Sequence, residues 1–182
     1  MKLIDTHSHL YAEEFDDDRA EALARAREGG AVRLLLPAID KESNERLFSL
    51  AREAKDICRP MMGLHPTSVN DNPRWREELA EVERLLANPP QGMERFYGVG
   101  EIGLDYHYDD ADPDVQKHWL RAQLDLAKEL ETDIVTTHIG VVPETKNCIQ
   151  DESMHEVCFE LAEYAKKMGG HFAVETGPEK SE

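Results

Sequence analysis

Short apolar runs alternate with amphipathic helical stretches along this chain, and the alternation restricts its fold more than any other feature. The runs with strand character are Lys2–Ile4, Val32–Pro37, Arg59–Leu64, Phe96–Ile102, Asp133–Thr137 and His171–Glu175. Apolar residues recur at helical spacing in the stretches Asp16–Gly29, Lys41–Ala54, Asp71–Leu86, Val115–Leu130 and Met154–Met168. Strands separated by helices predict a parallel sheet whose strands are joined by right-handed crossovers.

Two α/β layouts fit this alternation, an open doubly wound sheet and a (β/α)₈ barrel. The first turn after a strand has no G-x-G-x-x-G pattern, which disfavours a nucleotide-binding open sheet. Polar side chains instead follow the carboxyl ends of several strands, where barrel enzymes place their active sites. We therefore predict an α/β, TIM-barrel-like fold, formed as one domain by residues 1–182. A barrel usually needs about 250 residues and eight strands, so six βα units predict an incomplete barrel.

Charge, cysteine content and hydropathy limit the functional class and the cellular setting of this protein. The net charge is −17, so a passive DNA-binding module with a basic surface is disfavoured. A nuclease stays possible, because bound cations can invert the local field that a phosphate meets. The three cysteines form no C-x-x-C pair, which favours a reduced, cytoplasmic setting. With no signal-like N-terminus and no run of 18 apolar residues, we expect no membrane span.

Two histidines follow the first strand at i, i+2 spacing. Residues at that spacing lie on one face of a strand, so His7 and His9 are expected to point the same way. Glu101 ends a glycine-rich run, where a buried carboxylate requires a partner or a metal. His138 follows the fifth run, whereas His65, in Gly-Leu-His-Pro, is expected to face substrate or to be structural. Three imidazoles and a carboxylate at one end of a barrel predict a bridged site for two divalent metals.

Four segments, IDTHSHLY, LLLPAID, MMGLHPTSV and GVGEIGLDYH, followed by QLDLAKEL, resemble the TatD family of metal-dependent deoxyribonucleases over residues 1 to about 130. The resemblance implies that His7, His9 and Glu101 are metal ligands, with Glu101 bridging, and that His138 fills the ligand position of the fifth strand. It also implies catalytic roles for Glu101, Asp105 and His65, and a place near the substrate for His65 and His107. It further implies a TIM-barrel-like fold of the metal-dependent hydrolase type and, as cofactors, two divalent ions, Zn, Mg or Mn.

Residues 131–182 resemble a different family, the sugar phosphate isomerases and epimerases. The segments TDIVTTHIGVVPE and FELAEYAKKMGGHFAVETGPE have the pattern of that family, and the implied metal ligand is Glu175. His171 lies at the amino-terminal end of the same strand, away from the carboxyl end where Glu175 lies. The TatD pattern also takes an aspartate from its last strand, and no residue here corresponds to it.

Three functions follow as hypotheses. The first is a TatD-like, metal-dependent hydrolase that uses a metal-activated water on DNA or another phosphodiester. The second is a truncated or hybrid barrel scaffold that binds metal without turnover, and the third is a protein like the sugar phosphate isomerases. Because six strands cannot close as eight do, the sheet either closes differently, pairs with a second copy, or leaves unpaired strand edges that favour a homo-oligomer.

Overall fold

The computed structural model describes residues 2–70, 72–104, 112–129, 131, 134–138 and 149–175. Its strands there are β1 (Leu3–Asp5), β2 (Ala31–Leu36), β3 (Cys58–Pro60), β4 (Ile134–His138) and β5 (His171–Glu175). Its α-helices are α1 (Arg19–Glu28), α2 (Asn44–Glu53), α3 (Trp75–Ala87), α4 (Pro113–Glu129) and α5 (Ile149–Met168). Within those ranges, no helix is both long and apolar enough to cross a membrane.

All of the strand pairs are parallel, as the alternation predicts. The first sheet has the order β1-β2-β3, and β4 pairs with β5 in a second sheet. Successive strands therefore lie side by side without the reversal of order that marks a doubly wound sheet. This sequential order is the one that consecutive βα units have in a barrel.

The predicted fourth strand, Phe96–Ile102, is wrong as a continuous strand. It forms one isolated parallel bridge, between Met62 and Val99, and its hydrogen bonds go to two different partners. The Tyr97 N–H donates to the Pro60 carbonyl at 2.8 Å, beside β3. The chain then turns toward the segment after β2, where the Glu101 N–H donates to the Ala38 carbonyl at 2.9 Å. Such a change of partner is consistent with glycines, which weaken a regular strand.

Two helices begin earlier than their apolar spacing predicts. The Asp112 carboxylate accepts hydrogen bonds from the backbone N–H groups of Asp114 and Val115, so α4 begins at Pro113. This is an N-cap followed by proline, a combination that favours helix initiation. Helix α5 begins at Ile149 instead of Met154. Its additional turn includes Glu152, whose negative charge suits a helix N-terminus.

The hydrophobic core lies between the first sheet and its helices. Leu34, Leu35 and Leu36 of β2 are buried, and α2 packs Leu47 and Phe48 toward them. The outer strand β1 differs, because Leu3 and Ile4 are exposed. The carboxyl end of β2 is therefore buried in the core, whereas β1 is exposed to solvent.

A fully buried amide side chain of helix α4 forms hydrogen bonds to the segment after β3. The Gln123 carbonyl oxygen accepts the Leu64 N–H at 2.9 Å, and its amide donates to the Leu64 carbonyl at 3.3 Å. Both backbone groups of Leu64 are thereby satisfied away from water. Since His65 is the next residue, this contact also holds the backbone from which the His65 side chain extends.

We expect Gln123→Leu to destabilise the protein because it leaves two buried backbone groups without partners. The loss should be about 2–4 kcal/mol in the free energy of unfolding, measured by chemical denaturation. Lys128→Ala, at an exposed position of the same helix, is the matched control. Equal midpoints for the two variants would contradict this role.

Candidate metal centre

The two histidines follow β1 on a segment that is held at several points. The Ser8 N–H donates to the Leu35 carbonyl at 3.0 Å, which extends the alignment with β2. The Asp5 carboxylate accepts the His7 N–H at 3.0 Å and shapes the turn after the strand. Beyond His9, the guanidinium of Arg19 donates to the carbonyls of Leu10 and Ala12, at 2.7 and 2.9 Å. The segment is therefore positioned by its main chain as well as by its side chains.

Glu101 reaches the same place from a distant part of the sequence. Its N–H is bonded to the Ala38 carbonyl, and the Ala38 N–H donates to the Gly100 carbonyl at 3.0 Å. Gly63 packs directly against this segment, since a Cβ at Gly63 would lie 2.8 Å from the Gly100 carbonyl carbon. The backbones of Gly63 and Gly100 therefore approach each other more closely than residues with side chains would allow.

His7, His9 and Glu101, named here the His–Glu cluster, bring three ligand atoms together. These atoms all lie within 4.8 Å of one another. The two Nε2 atoms are 2.8 Å apart, and Glu101 Oε2 lies 3.3 Å from that of His7 and 3.6 Å from that of His9. The spacing of the two histidines predicts this convergence.

The donor set fits a divalent cation. Two imidazole nitrogens 2.8 Å apart must share a proton when no cation lies between them. The same lone pairs, with one carboxylate oxygen, form a nitrogen and oxygen ligand set that suits zinc or manganese. A cation in this position would also neutralise the carboxylate, which is 5 % exposed.

Glu101 stays ionised despite its burial. Burial alone would raise the pKa of Glu101, but hydrogen bonds from His65 and His7 outweigh it and hold that pKa well below its usual range. The cluster therefore offers a negative charge with its oxygens already directed by donors. This charge is what a divalent cation requires from a ligand set that is otherwise neutral.

His65 contacts the other oxygen of the same carboxylate. Its Nε2 lies 3.4 Å from Glu101 Oε1, whereas Oε2 faces His7 and His9. The Thr67 N–H donates to His65 Nδ1 at 3.3 Å, so Nδ1 accepts and the ring proton lies on Nε2. The imidazole of His65 is thus a donor that orients Glu101, and it is not a member of the His–Glu cluster.

Tyr11 is a site residue that the sequence analysis missed. Its side chain is buried, and its hydroxyl lies 3.0 Å from His9 Nδ1 and donates to the Pro37 carbonyl at 2.6 Å. Burial raises the pKa of Tyr11, and the charges of Asp40 and Glu101 raise it further, so the phenol remains neutral. The i, i+2 spacing of His9 and Tyr11 is the sequence signal that could have indicated the contact.

The remaining predicted site residues are described less completely. His138 and Glu175 are the last residues of β4 and β5, and they are paired in register across the two strands. The pairing places both at the carboxyl edge of the second sheet, as predicted. Asp105 and His107 lie outside the described residues, so their roles remain predictions.

The fold and the cluster together define a class: a barrel-type α/β protein with potential metal ligands at the carboxyl ends of its parallel strands. Within that class the particular family is also clear. The chain belongs to the TatD related DNase family, whose model matches residues 4–167.

Curated relatives agree with this assignment. The uncharacterized metal-dependent hydrolase YabD of Bacillus subtilis is 31% identical over 155 residues, which are 85% of this chain and 58% of YabD. The 3'-5' ssDNA/RNA exonuclease TatD of Erwinia tasmaniensis is 33% identical over 132 residues, 72% of this chain and 48% of its own length. The chain therefore spans about half the length of the curated relatives it matches.

Solved structures are similar in fold. The TatD homolog YjjV of Escherichia coli K12 has a TM-score of 0.68 at 26% identity, covering 94% of this chain and 66% of YjjV. A TatD family hydrolase of Entamoeba histolytica has the same TM-score at 17% identity, over 96% of this chain and 57% of that structure. These likenesses confirm the predicted TIM-barrel-like α/β fold.

The family match bears on both predicted resemblances. The resemblance of residues 1 to about 130 to the TatD family is confirmed. The match also extends to residue 167, through most of the region in which the sequence predicts a second family. The likeness of residues 131–182 to sugar phosphate isomerases and epimerases remains a prediction.

We expect Gly63→Ala to disturb the His–Glu cluster from outside it. The added methyl group would meet the main chain of Gly100 and move the neighbouring Glu101, at a cost of about 1–3 kcal/mol in stability. Divalent metal affinity, measured by isothermal titration calorimetry, should fall as well. The control is Gly29→Ala, since that residue has a φ of −69° and its added methyl group would meet the carbonyl oxygens of Arg25 and Ala26 in α1 instead of Gly100. Unchanged affinity for Gly63→Ala would contradict the argument.

Proposed function

We propose that this chain provides the metal centre of a hydrolase that cleaves phosphodiester bonds in single-stranded nucleic acid. The observation that supports it most is the convergence of two imidazole nitrogens and one buried carboxylate oxygen within 4.8 Å. Membership of the TatD related DNase family adds support, as does the naming of one relative as an ssDNA/RNA exonuclease.

In this proposal His7, His9 and Glu101 hold a divalent cation. When bound, the cation would activate water and stabilise the charge that develops on the phosphoryl oxygens. His65 keeps one carboxylate oxygen of Glu101 occupied, so that the other faces the two imidazoles. Its side chain is 22 % exposed, so the ring is also accessible to substrate beside the cluster.

We also propose that His138 and Glu175 supply ligands for a second cation. Their pairing in register at the ends of β4 and β5 supports this assignment, because strand ends at one edge of a barrel meet at its active site. Asp105 and His107 would lie near the substrate. In this assignment Glu101 bridges the two cations, and its Oε1 would exchange the contact with His65 for the second cation.

Homo-oligomer formation remains part of the proposal. Among the described strands β1 pairs with β2 alone, and Leu3 and Ile4 of β1 are exposed. Such an edge favours pairing with a second copy of the chain. Sedimentation at several protein concentrations would test it, and a monomer at every concentration would count against it.

Glu101→Gln should abolish metal-dependent hydrolysis of single-stranded DNA. The amide keeps the size of the side chain but removes the negative charge, so metal affinity should fall by at least about 100-fold. Calorimetry with Mn²⁺ and a nuclease assay with Mg²⁺, Mn²⁺ or Zn²⁺ measure the two effects. Glu83→Gln, at an exposed helical position, is the matched control.

The two measurements separate the competing functions. Hydrolysis by the unaltered chain that is lost in Glu101→Gln supports the proposed hydrolase. Metal binding without hydrolysis of any tested phosphodiester would support the scaffold hypothesis instead. Equal metal affinity in both proteins would contradict the proposed centre itself.

A further inference from the structure

The hydrogen bonds around Tyr11 determine which nitrogen of His9 carries its proton. The Tyr11 hydroxyl has one hydrogen, and the Pro37 carbonyl, 2.6 Å away, can only accept. The hydroxyl hydrogen therefore points to Pro37, and the oxygen offers a lone pair toward His9. His9 Nδ1 lies 3.0 Å from that oxygen, so it must be the donor in this contact.

A neutral imidazole has one N–H, so a proton on Nδ1 leaves Nε2 with a free lone pair. His9 Nε2 is the atom that faces the other members of the His–Glu cluster. The opposite tautomer would put a hydrogen on this nitrogen and prevent it from acting as a ligand. The contact with Tyr11 thus favours the one tautomer in which His9 can bind a cation.

The surroundings keep the Tyr11 hydroxyl in place. Tyr11 is 1 % exposed, and its backbone carbonyl accepts a hydrogen bond from Arg46 at 3.1 Å. The acceptor Pro37 directly follows β2, so its carbonyl belongs to the rigid end of the central strand. Through Tyr11, the end of β2 therefore determines how the His9 ring is oriented.

We infer that Tyr11 is a positioning residue that fixes the Nδ1-protonated tautomer of His9 and so prepares Nε2 as a metal ligand. The inference rests on the proposed function of the His–Glu cluster as a metal centre. Tyr11 would act on the metal site through its hydrogen bond to a ligand, and packing of its ring alone would not have this effect. His65 has the opposite tautomer, with its proton on Nε2, which matches its different role as a donor to Glu101.

The tautomer can be measured directly in the metal-free protein. Long-range ¹H–¹⁵N spectra of the imidazole rings, recorded at about pH 8 where most imidazoles are neutral, distinguish the protonated from the unprotonated nitrogen. We expect His9 to show a protonated Nδ1 and His65 a protonated Nε2. A protonated Nε2 on His9 would overturn the inference, and this result does not depend on metal binding or on any variant.

Tyr11→Phe tests the consequence, because it removes the hydroxyl and keeps the ring. We expect mixed tautomers for His9 and a fall in Mn²⁺ affinity of about tenfold to a hundredfold, measured by calorimetry. The control is Tyr97→Phe, whose ring contacts Arg59 and Arg95 instead of a histidine. Unchanged affinity or an unchanged His9 spectrum in Tyr11→Phe would overturn the inference.

Failure of the proposed metal centre would give a different result from failure of the inference about Tyr11. If the unaltered protein bound no Mn²⁺, the metal centre would be lost as a proposal and the ligand role of His9 with it. The spectra would still decide whether Tyr11 sets the tautomer of His9.

Discussion

The buried carboxylate of Glu101 is the group on which this site depends. A carboxylate with so little exposure is unfavourable unless donors compensate for its lost hydration. Here the donors are His65, at one oxygen, and His7, at the other, while His9 Nε2 lies 3.6 Å from the second oxygen with its lone pair free for a cation. The two donor histidines come from separate segments, so compensation of one charge draws together parts of the chain that are distant in sequence.

The parallel sheet makes this convergence possible. His7 and His9 follow β1, His65 follows β3, and Glu101 follows the irregular run that bridges to Met62. In a sheet of sequential parallel strands all of these segments emerge at the same edge. The glycines at 63 and 100 permit the last of them to approach closely enough for Glu101 to reach the imidazoles.

Much of this arrangement could be predicted from the sequence. The alternation of strand and helix patterns indicates the parallel fold, and the spacing of His7 and His9 indicates that their rings converge. The irregular path of Phe96–Ile102 could not be predicted, because its hydrogen bonds to Pro60 and Ala38 depend on tertiary contacts that no local pattern contains. The spacing of His9 and Tyr11 could have indicated that they meet, but the role of Tyr11 also depends on the carbonyl of Pro37, which is 26 positions away.

The central claim is that His7, His9 and Glu101 bind one divalent cation together. A crystal structure of the chain grown with Mn²⁺, with anomalous diffraction collected to locate the metal, tests it most directly. The account predicts an anomalous peak within coordinating distance of both Nε2 atoms and of Glu101 Oε2. A peak confined to other residues, or none at saturating Mn²⁺, would contradict it.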